Sequence, residues 1–169
     1  ASFINYEKEF MPDYVLVPGY QSKKIFEKKL LNSISIDIVG SPKKKNKKIN
    51  LVKKENLKIV ILPEGFLSET KLLINFALDL AKKCPKIAFR IKIHPQLYSK
   101  QNYFKHIINQ KKMSNIQISN NSFLDDVLWS SHAIYRGSTS ILEAISLGVI
   151  PIYYHIKEEL IIDPLFLIK

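Results

Sequence analysis

The stretch Tyr135-Arg136-Gly137-Ser138-Thr139-Ser140-Ile141-Leu142-Glu143-Ala144 holds the transition on which the reading of the fold turns. Ala133 to Arg136 is a short strand-like run, Gly137 turns the chain, three hydroxyl residues follow, and apolar residues then recur at 141, 142, 145 and 147. A strand-like run that gives way to helical spacing across a glycine and hydroxyl-rich turn reads as a strand entering a helix. Gly148 predicts the end of that helix, glycine being the usual residue just past a helix terminus, and Val149 to Tyr154 opens another strand at once.

The same punctuation extends outward. Gly19 follows Tyr14 to Pro18, Gly40 follows Ile34 to Val39, and Gly65 follows Leu57 to Glu64, so each stands just past a candidate strand. Between these marks lie Ser68 to Lys83, apolar at 72, 73, 76, 77 and 80, then Ile87 to Ile93, Lys100 to Lys111, Asn115 to Ile118 and Ser122 to Ser130. From Leu57 to Tyr154 the order is five strands with four intervening helices, at lengths that βαβ units use. The predicted class is therefore α/β, a Rossmann-like parallel sheet with helices on both faces. Such a sheet binds ligands outside the carboxyl ends of its strands. Ser68 with Lys71, and Ser122 with Asp125, mark predicted helix starts of purely structural meaning.

Composition narrows the classes. At 169 residues and 46% hydrophobic the chain can close a core without staples, and its single cysteine, Cys84, excludes an internal disulfide framework and any multi-thiolate metal site. No metal and no cofactor is expected. No apolar run reaches the ~18 residues of a membrane span and no signal-peptide order is present, which predicts a cytoplasmic protein. Lys and Arg outnumber Asp and Glu by 26 to 15, a formal charge of +11, so anionic partners are expected. Only Arg90 and Arg136 are arginines, which argues against specific nucleic-acid readout.

Upstream, Asp13 to Gly40 reads as strand, helix (Ser22 to Leu31) and strand, followed by the block Lys43-Lys44-Lys45-Asn46-Lys47-Lys48 and Lys53-Lys54. That block is read as a solvated linker, with peripheral contact to an anionic membrane, at the inner membrane face, as the alternative. Ala1-Ser2-Phe3-Ile4 carries no initiator methionine and leads quickly into an apolar segment, so the chain is expected to be part of something longer. The predicted organisation is 1–42 as the tail of a preceding domain and the interdomain crossing, 43–56 as basic linker, and 57–169 as the ligand-binding α/β domain.

Three stretches carry candidate chemistry. Gly137-Ser138-Thr139-Ser140 opens a helix whose unpaired N–H groups favour a phosphate, and Glu143, four residues after Thr139, shares its face and can accept hydrogen bonds from a ribose. Ser140-x-x-Glu143 is equally a capping box serving only the helix. Neither Gly-x-x-x-x-Gly-Lys nor Gly-x-Gly-x-x-Gly occurs, so P-loop and dinucleotide chemistry lose their usual support. In the second stretch, Arg90, Lys92 and His94 alternate onto one face of a strand and Pro95 follows; His94 at the carboxyl end is placed to stabilise a departing phosphate, or is a loop residue with a satisfied partner. The third is Pro63-Glu64-Gly65, where Glu64 can bind a sugar hydroxyl and Gly65 admits close approach, or the pair only shapes a turn.

Taken together, Ile93-His94-Pro95 at a strand end, Gly137-Ser138-Thr139-Ser140 leading to Glu143-Ala144, and Gly148-Val149-Ile150-Pro151 resemble the C-terminal, donor-binding half of GT-B glycosyltransferases. Within that superfamily the chain is most similar to bacterial surface-glycan enzymes using CMP-activated acidic sugars, the Kdo transferases and bacterial sialyltransferases. The resemblance spans Leu57 to Tyr154. It implies a nucleotide-sugar donor and a glycan or glycolipid acceptor in polysaccharide or lipopolysaccharide synthesis. His94 would contact the donor phosphate, Ser138, Thr139 and Ser140 would cradle it, and Glu143 would bind the ribose. In sialyltransferases an acidic pair before a glycine supplies the base from the other half; here Pro63-Glu64-Gly65 is the similar sequence and stands in the wrong half, so the fragment is expected to be inactive alone. A UDP-sugar 2-epimerase-like domain and a non-catalytic basic module binding nucleic acid or membrane remain the alternatives.

Overall fold

The computed structural model describes residues 12–29, 34–40, 57–157 and 159–165. The Lys43 to Lys54 block lies outside them, as do Ser41 and Pro42. The chain forms two compact units, one running to Lys45 and the other starting at Asn46. The first contains β1 (Tyr14–Val17), α1 (Tyr20–Lys29) and β2 (Ser35–Ile38), a βαβ unit with its two strands parallel. Val17 and Ile36 are its buried strand residues, and the Gly19 carbonyl accepts the Lys23 N–H at 3.0 Å in the first turn of α1.

The second unit runs β3 (Lys58–Leu62), α2 (Leu67–Lys83), β4 (Ala88–Ile91), a 3-10 segment (Pro95–Lys100), α3 (Gln101–Gln110), β5 (Ile116–Ile118), α4 (Phe123–Trp129), β6 (His132–Tyr135), α5 (Ser140–Ser146) and β7 (Ile150–Tyr153). Its strands form one parallel sheet in the order β5-β4-β3-β6-β7, with Ile59 opposite Phe89 on one side and His132 on the other. The alternation within β3 shows why both faces are covered. Ile59 and Ile61 pack with Leu73, Ile74 and Ala77 of α2 and Phe104 and Ile108 of α3, whereas Val60 and Leu62 pack with Val127 of α4 and Ile141 and Ala144 of α5. A strand apolar at every position is what a doubly covered sheet requires.

The strand order fixes where a ligand can enter. The chain winds from β3 outward to β5 and then returns past β3 to place β6 on its other side, so successive connections diverge between β3 and β6. In an open parallel sheet the crevice at such a reversal, outside the carboxyl ends, is the ligand site. The loops that frame it are 63–66 after β3 and 136–139 after β6.

Local devices hold these elements. Gly148, at φ +81°, ends α5 as expected: its N–H bonds the Ile145 carbonyl at 2.8 Å and that of Val149 bonds Ala144 at 3.1 Å, the paired reach-back of a Schellman turn. Ser122 caps α4, its Oγ accepting from the Asp125 N–H at 3.1 Å. Ser68 does not cap α2; the helix starts at Leu67 behind Phe66, so Ser68 lies inside its first turn. The Asn115 side chain donates to the Ala81, Cys84 and Ile87 carbonyls at 3.0 to 3.2 Å, joining the end of α2 to the starts of β4 and β5. Ile150 and Tyr154 direct their N–H groups to β6, so Pro151, which has none, occupies the outward-facing position on β7. Among the described residues no helix is long and apolar enough to cross a membrane.

Candidate functional site

The loop after β3 is pinned from below. Thr70, fully buried in the first turn of α2, donates from Oγ1 to the Glu64 carbonyl at 3.0 Å. This fixes the backbone of Glu64 and leaves its side chain to cross the reversal toward Gly137. A Cβ built on Gly137 would collide with both oxygens of the Glu64 carboxylate. Gly137 is not in the left-handed region, so what requires glycine there is the carboxylate's approach and not backbone conformation. Gly65 permits a second close contact, since a Cβ there would collide with the Gln96 side chain and stand 3.0 Å from His94 Nδ1.

Glu64 is the perturbed acid of the site. Burial pushes its carboxyl pKa up, Glu69 adds to the rise, and the nearby Gly137 amide, Arg136 and His94 pull it partly back. Its Oε1 is buried and accepts no hydrogen bond from the described residues. The Gly137 amide thus favours the charge without closing a bond to that oxygen. Arg136 is itself committed: only 3% exposed, it forms ion pairs with Glu69 of α2 and Glu159. Burial opposes its charge, but hydrogen bonds and attraction from those two carboxylates outweigh that cost and hold it protonated.

His94 ends the segment leading from β4 and precedes Pro95, the first residue of the 3-10 turn. Its Nδ1 accepts the Gln96 N–H at 3.3 Å. A ring that accepts at Nδ1 carries its proton on Nε2, so Nε2–H can donate. The local partner expected for this histidine is therefore present, on one ring nitrogen. Arg90 and Lys92, which share the strand face of His94, are both engaged by an acid. Asp126, fully buried on α4, takes Arg90 at 3.4 Å and Lys92 at 4.0 Å, while Ser119 Oγ donates to the same carboxylate at 2.7 Å. The Arg90 guanidinium also stacks 4.0 Å from the Trp129 ring centroid.

Two adjoining cavities open here. The smaller, ≈ 210 Å³, is lined by Glu64, Gly65, His94, Gly137, Ser138, Thr139 and Ser140, so the three sequence stretches meet in one place. The larger, ≈ 520 Å³, shares His94, Ser138 and Ser140 with it and continues past Pro95, Lys92 and Tyr98 to the 119–123 loop after β5. Glu143 is half-buried in the first turn of α5 and lines neither cavity. The helix begins behind Thr139, which makes no side-chain cap, and Ser140 Oγ lies 2.7 Å from Ser138 Oγ, so Ser140 is not the N-cap that the capping-box reading requires.

The 119–123 loop and Asp126 escaped the sequence reading. Ser122-x-x-Asp125 drew attention to the helix start, but what places the loop on a cavity wall is Asp126 beneath it, holding Ser119 and, at 3.5 Å, the Asn121 side chain. The Lys92 ammonium also donates to the Asn121 carbonyl. Among the described residues no group of three or more His, Cys, Asp or Glu side chains could hold a metal ion.

No protein-family model matches the chain. No curated protein matches it either. Among solved structures, the chain is similar to the crystal structure of the pneumococcal O-GlcNAc transferase GtfA in complex with UDP and GlcNAc, with a TM-score of 0.56 at 16% identity. The match covers 85% of this chain and 30% of that one, so this chain spans under a third of its neighbour's length. The likeness is one of fold: a parallel five-stranded sheet flanked by helices, as in a GT-B glycosyltransferase.

Proposed function

We propose that residues 57–169 are the nucleotide-sugar-binding domain of a glycosyltransferase, with 1–42 belonging to the preceding domain and 43–56 connecting them. The observation that carries this reading is the convergence of Glu64, His94 and Ser138 to Ser140 on one cavity at the reversal of the sheet. Support also comes from the neighbour of like fold, whose structure holds UDP and GlcNAc. The two cavities share a wall and together suit an elongated, polar ligand. His94, with Nε2–H free to donate, would stabilise the negative charge left on the nucleotide phosphate as the sugar departs to an acceptor hydroxyl. Glu143 would reach a ribose only where the ligand extends along the first turn of α5. Surface-glycan assembly from a cytoplasmic nucleotide sugar is the proposed setting, the donor being UDP-linked or CMP-linked.

Calorimetric titration of the chain with UMP, UDP, UDP-GlcNAc, CMP and CDP at two salt concentrations tests this, alongside His94→Ala and Ser138→Ala. Saturable binding of one nucleotide class, weakened by both substitutions, supports the reading and chooses the base. Binding without base preference that collapses with salt, and that both variants retain, would identify a basic adhesion module instead.

A further inference from the structure

The two cavities differ in charge, and that difference orients the ligand. The smaller one is walled by an acid: Glu64 lies against Gly137, and its buried Oε1 accepts nothing from the described residues. The cation nearest in sequence to Gly137 offers only partial relief, because Arg136 is buried in ion pairs with Glu69 and Glu159 and burial still leaves the Glu64 carboxyl pKa raised. A phosphate placed beside Gly137 would meet the carboxylate at close range in a poorly solvated place, where like charges repel strongly. A buried acceptor without a donor calls instead for a hydroxyl.

The larger cavity has the opposite character. No carboxylate is among the described residues that line it, and Lys92 is part of its wall. Lys92 is held by Asp126 and the Asn121 carbonyl but keeps part of its surface open, its side chain being 14% exposed. His94 stands on the shared wall, with Nε2–H as donor. Ser138 and Ser140, also shared, hydrogen-bond each other and can turn donors to either side.

Resting on the nucleotide-sugar reading above, we propose that the smaller cavity seats the uncharged, hydroxyl-bearing end of the ligand with Glu64 as acceptor, and that the phosphates lie on the Lys92 and His94 side. Glu64 is then a specificity residue: it rewards a ligand whose terminal phosphate is esterified by a sugar and penalises the free nucleoside diphosphate, whose exposed terminal phosphate would point at it. The residues between which the sugar–phosphate bond lies are His94 and Ser138.

The deciding quantity is the ratio of Kd for UDP to Kd for UDP-GlcNAc, measured for the chain, Glu64→Gln, Glu64→Ala and Lys92→Gln, with a thermal melt to verify that each is folded. Glu64→Gln keeps the shape and removes the charge, so the ratio is expected to fall about tenfold, UDP tightening while UDP-GlcNAc holds or weakens, as befits losing one repulsion and one charged hydrogen bond. Glu64→Ala should move it the same way. Lys92→Gln should weaken both ligands alike and leave the ratio in place. An unchanged ratio in both Glu64 variants, with the wild-type chain binding either ligand, overturns this inference and leaves the nucleotide-sugar reading standing. A wild-type chain that binds only cytidine nucleotides overturns this inference alone, and one that binds neither uridine nor cytidine nucleotides overturns both.

Discussion

Glu64 and Asp126 are both carboxylates near the carboxyl edge of one sheet, and the protein treats them oppositely. Asp126 is fully buried yet surrounded by donors: Ser119 Oγ at 2.7 Å, Arg90 at 3.4 Å, and the Asn121 and Lys92 side chains within 4.0 Å. Glu64 is only half-buried, yet one of its oxygens is shut from water and accepts no hydrogen bond from the described residues. Each acid keeps one oxygen that accepts no hydrogen bond from the described residues, Oε1 of Glu64 and Oδ2 of Asp126; what differs is that Oδ1 of Asp126 gathers Ser119, Arg90 and Asn121, whereas Glu64 lines a cavity. The acid that gathers three side chains organises its own loop, whereas the one on the cavity wall is the acid on which the proposed ligand contact rests.

The largest expected effect comes from removing Asp126, the acid that gathers three side chains. Asp126→Ala leaves the Arg90 guanidinium in a half-closed site with no acid opposite it and frees Ser119 from the loop. Removing one partner of a buried pair costs about 3–5 kcal/mol, a large share of the ~5–15 kcal/mol that typically holds a domain together. Chemical denaturation should show the midpoint falling sharply with an unchanged slope. A loss below about 1 kcal/mol would mean that solvent compensates Arg90 and that the cluster is not a keystone of this edge.

Gly137→Ala should cost less and say more. The added Cβ enters the space of the Glu64 carboxylate, and overpacking of this kind costs about 1–3 kcal/mol. Because Gly137 has no left-handed backbone to lose, the penalty should belong to Glu64. The double variant Glu64→Ala with Gly137→Ala is expected to recover about 1–2 kcal/mol of it, read as non-additivity in a double-mutant cycle. Strict additivity would show that the methyl clashes with the loop itself.

These two predictions also mark how far the sequence could be read. The alternation of elements was legible because glycines at 19, 40, 65, 137 and 148 sit two or three residues past a strand or directly past a helix, a local signal of backbone need. The helix start at Ser122 was legible for the same reason, being settled within four residues. The start of α2 was not, because Phe66 opens it without a side-chain cap and Ser68 imitates one. Arg90 and Lys92 showed a shared face through their two-residue spacing, but nothing in that spacing reveals that α4 presents Asp126 to it. The grouping of Glu64, His94 and Gly137 follows from sheet order, in which β3 stands between β4 and β6, and no local pattern encodes that order. Chemistry was readable where a residue serves its own turn, and unreadable where it serves a strand thirty or more residues away.

The smallest effect is the pH response of Glu64, and it tests the cavity-lining side of the comparison in the absence of any ligand. Its folded pKa is raised above the ordinary 4.5, chiefly by burial and then by Glu69. Between those two values the folded chain holds more protons than the unfolded one, so stability from this group falls as pH rises through the window and the deficit is complete above the folded pKa. Glu64→Gln abolishes the term. The variant should melt above wild type near pH 7 and converge with it at about pH 4, where both states of Glu64 are largely protonated. Solvent screens a half-exposed acid, so the gain is expected within about 0.5 kcal/mol, roughly 1–3 °C in Tm. Parallel melting curves from about pH 4 to 8 would show that the orphan oxygen is no burden to the empty protein, and the contrast with Asp126 would then rest on hydrogen-bond partners alone and not on stored electrostatic cost.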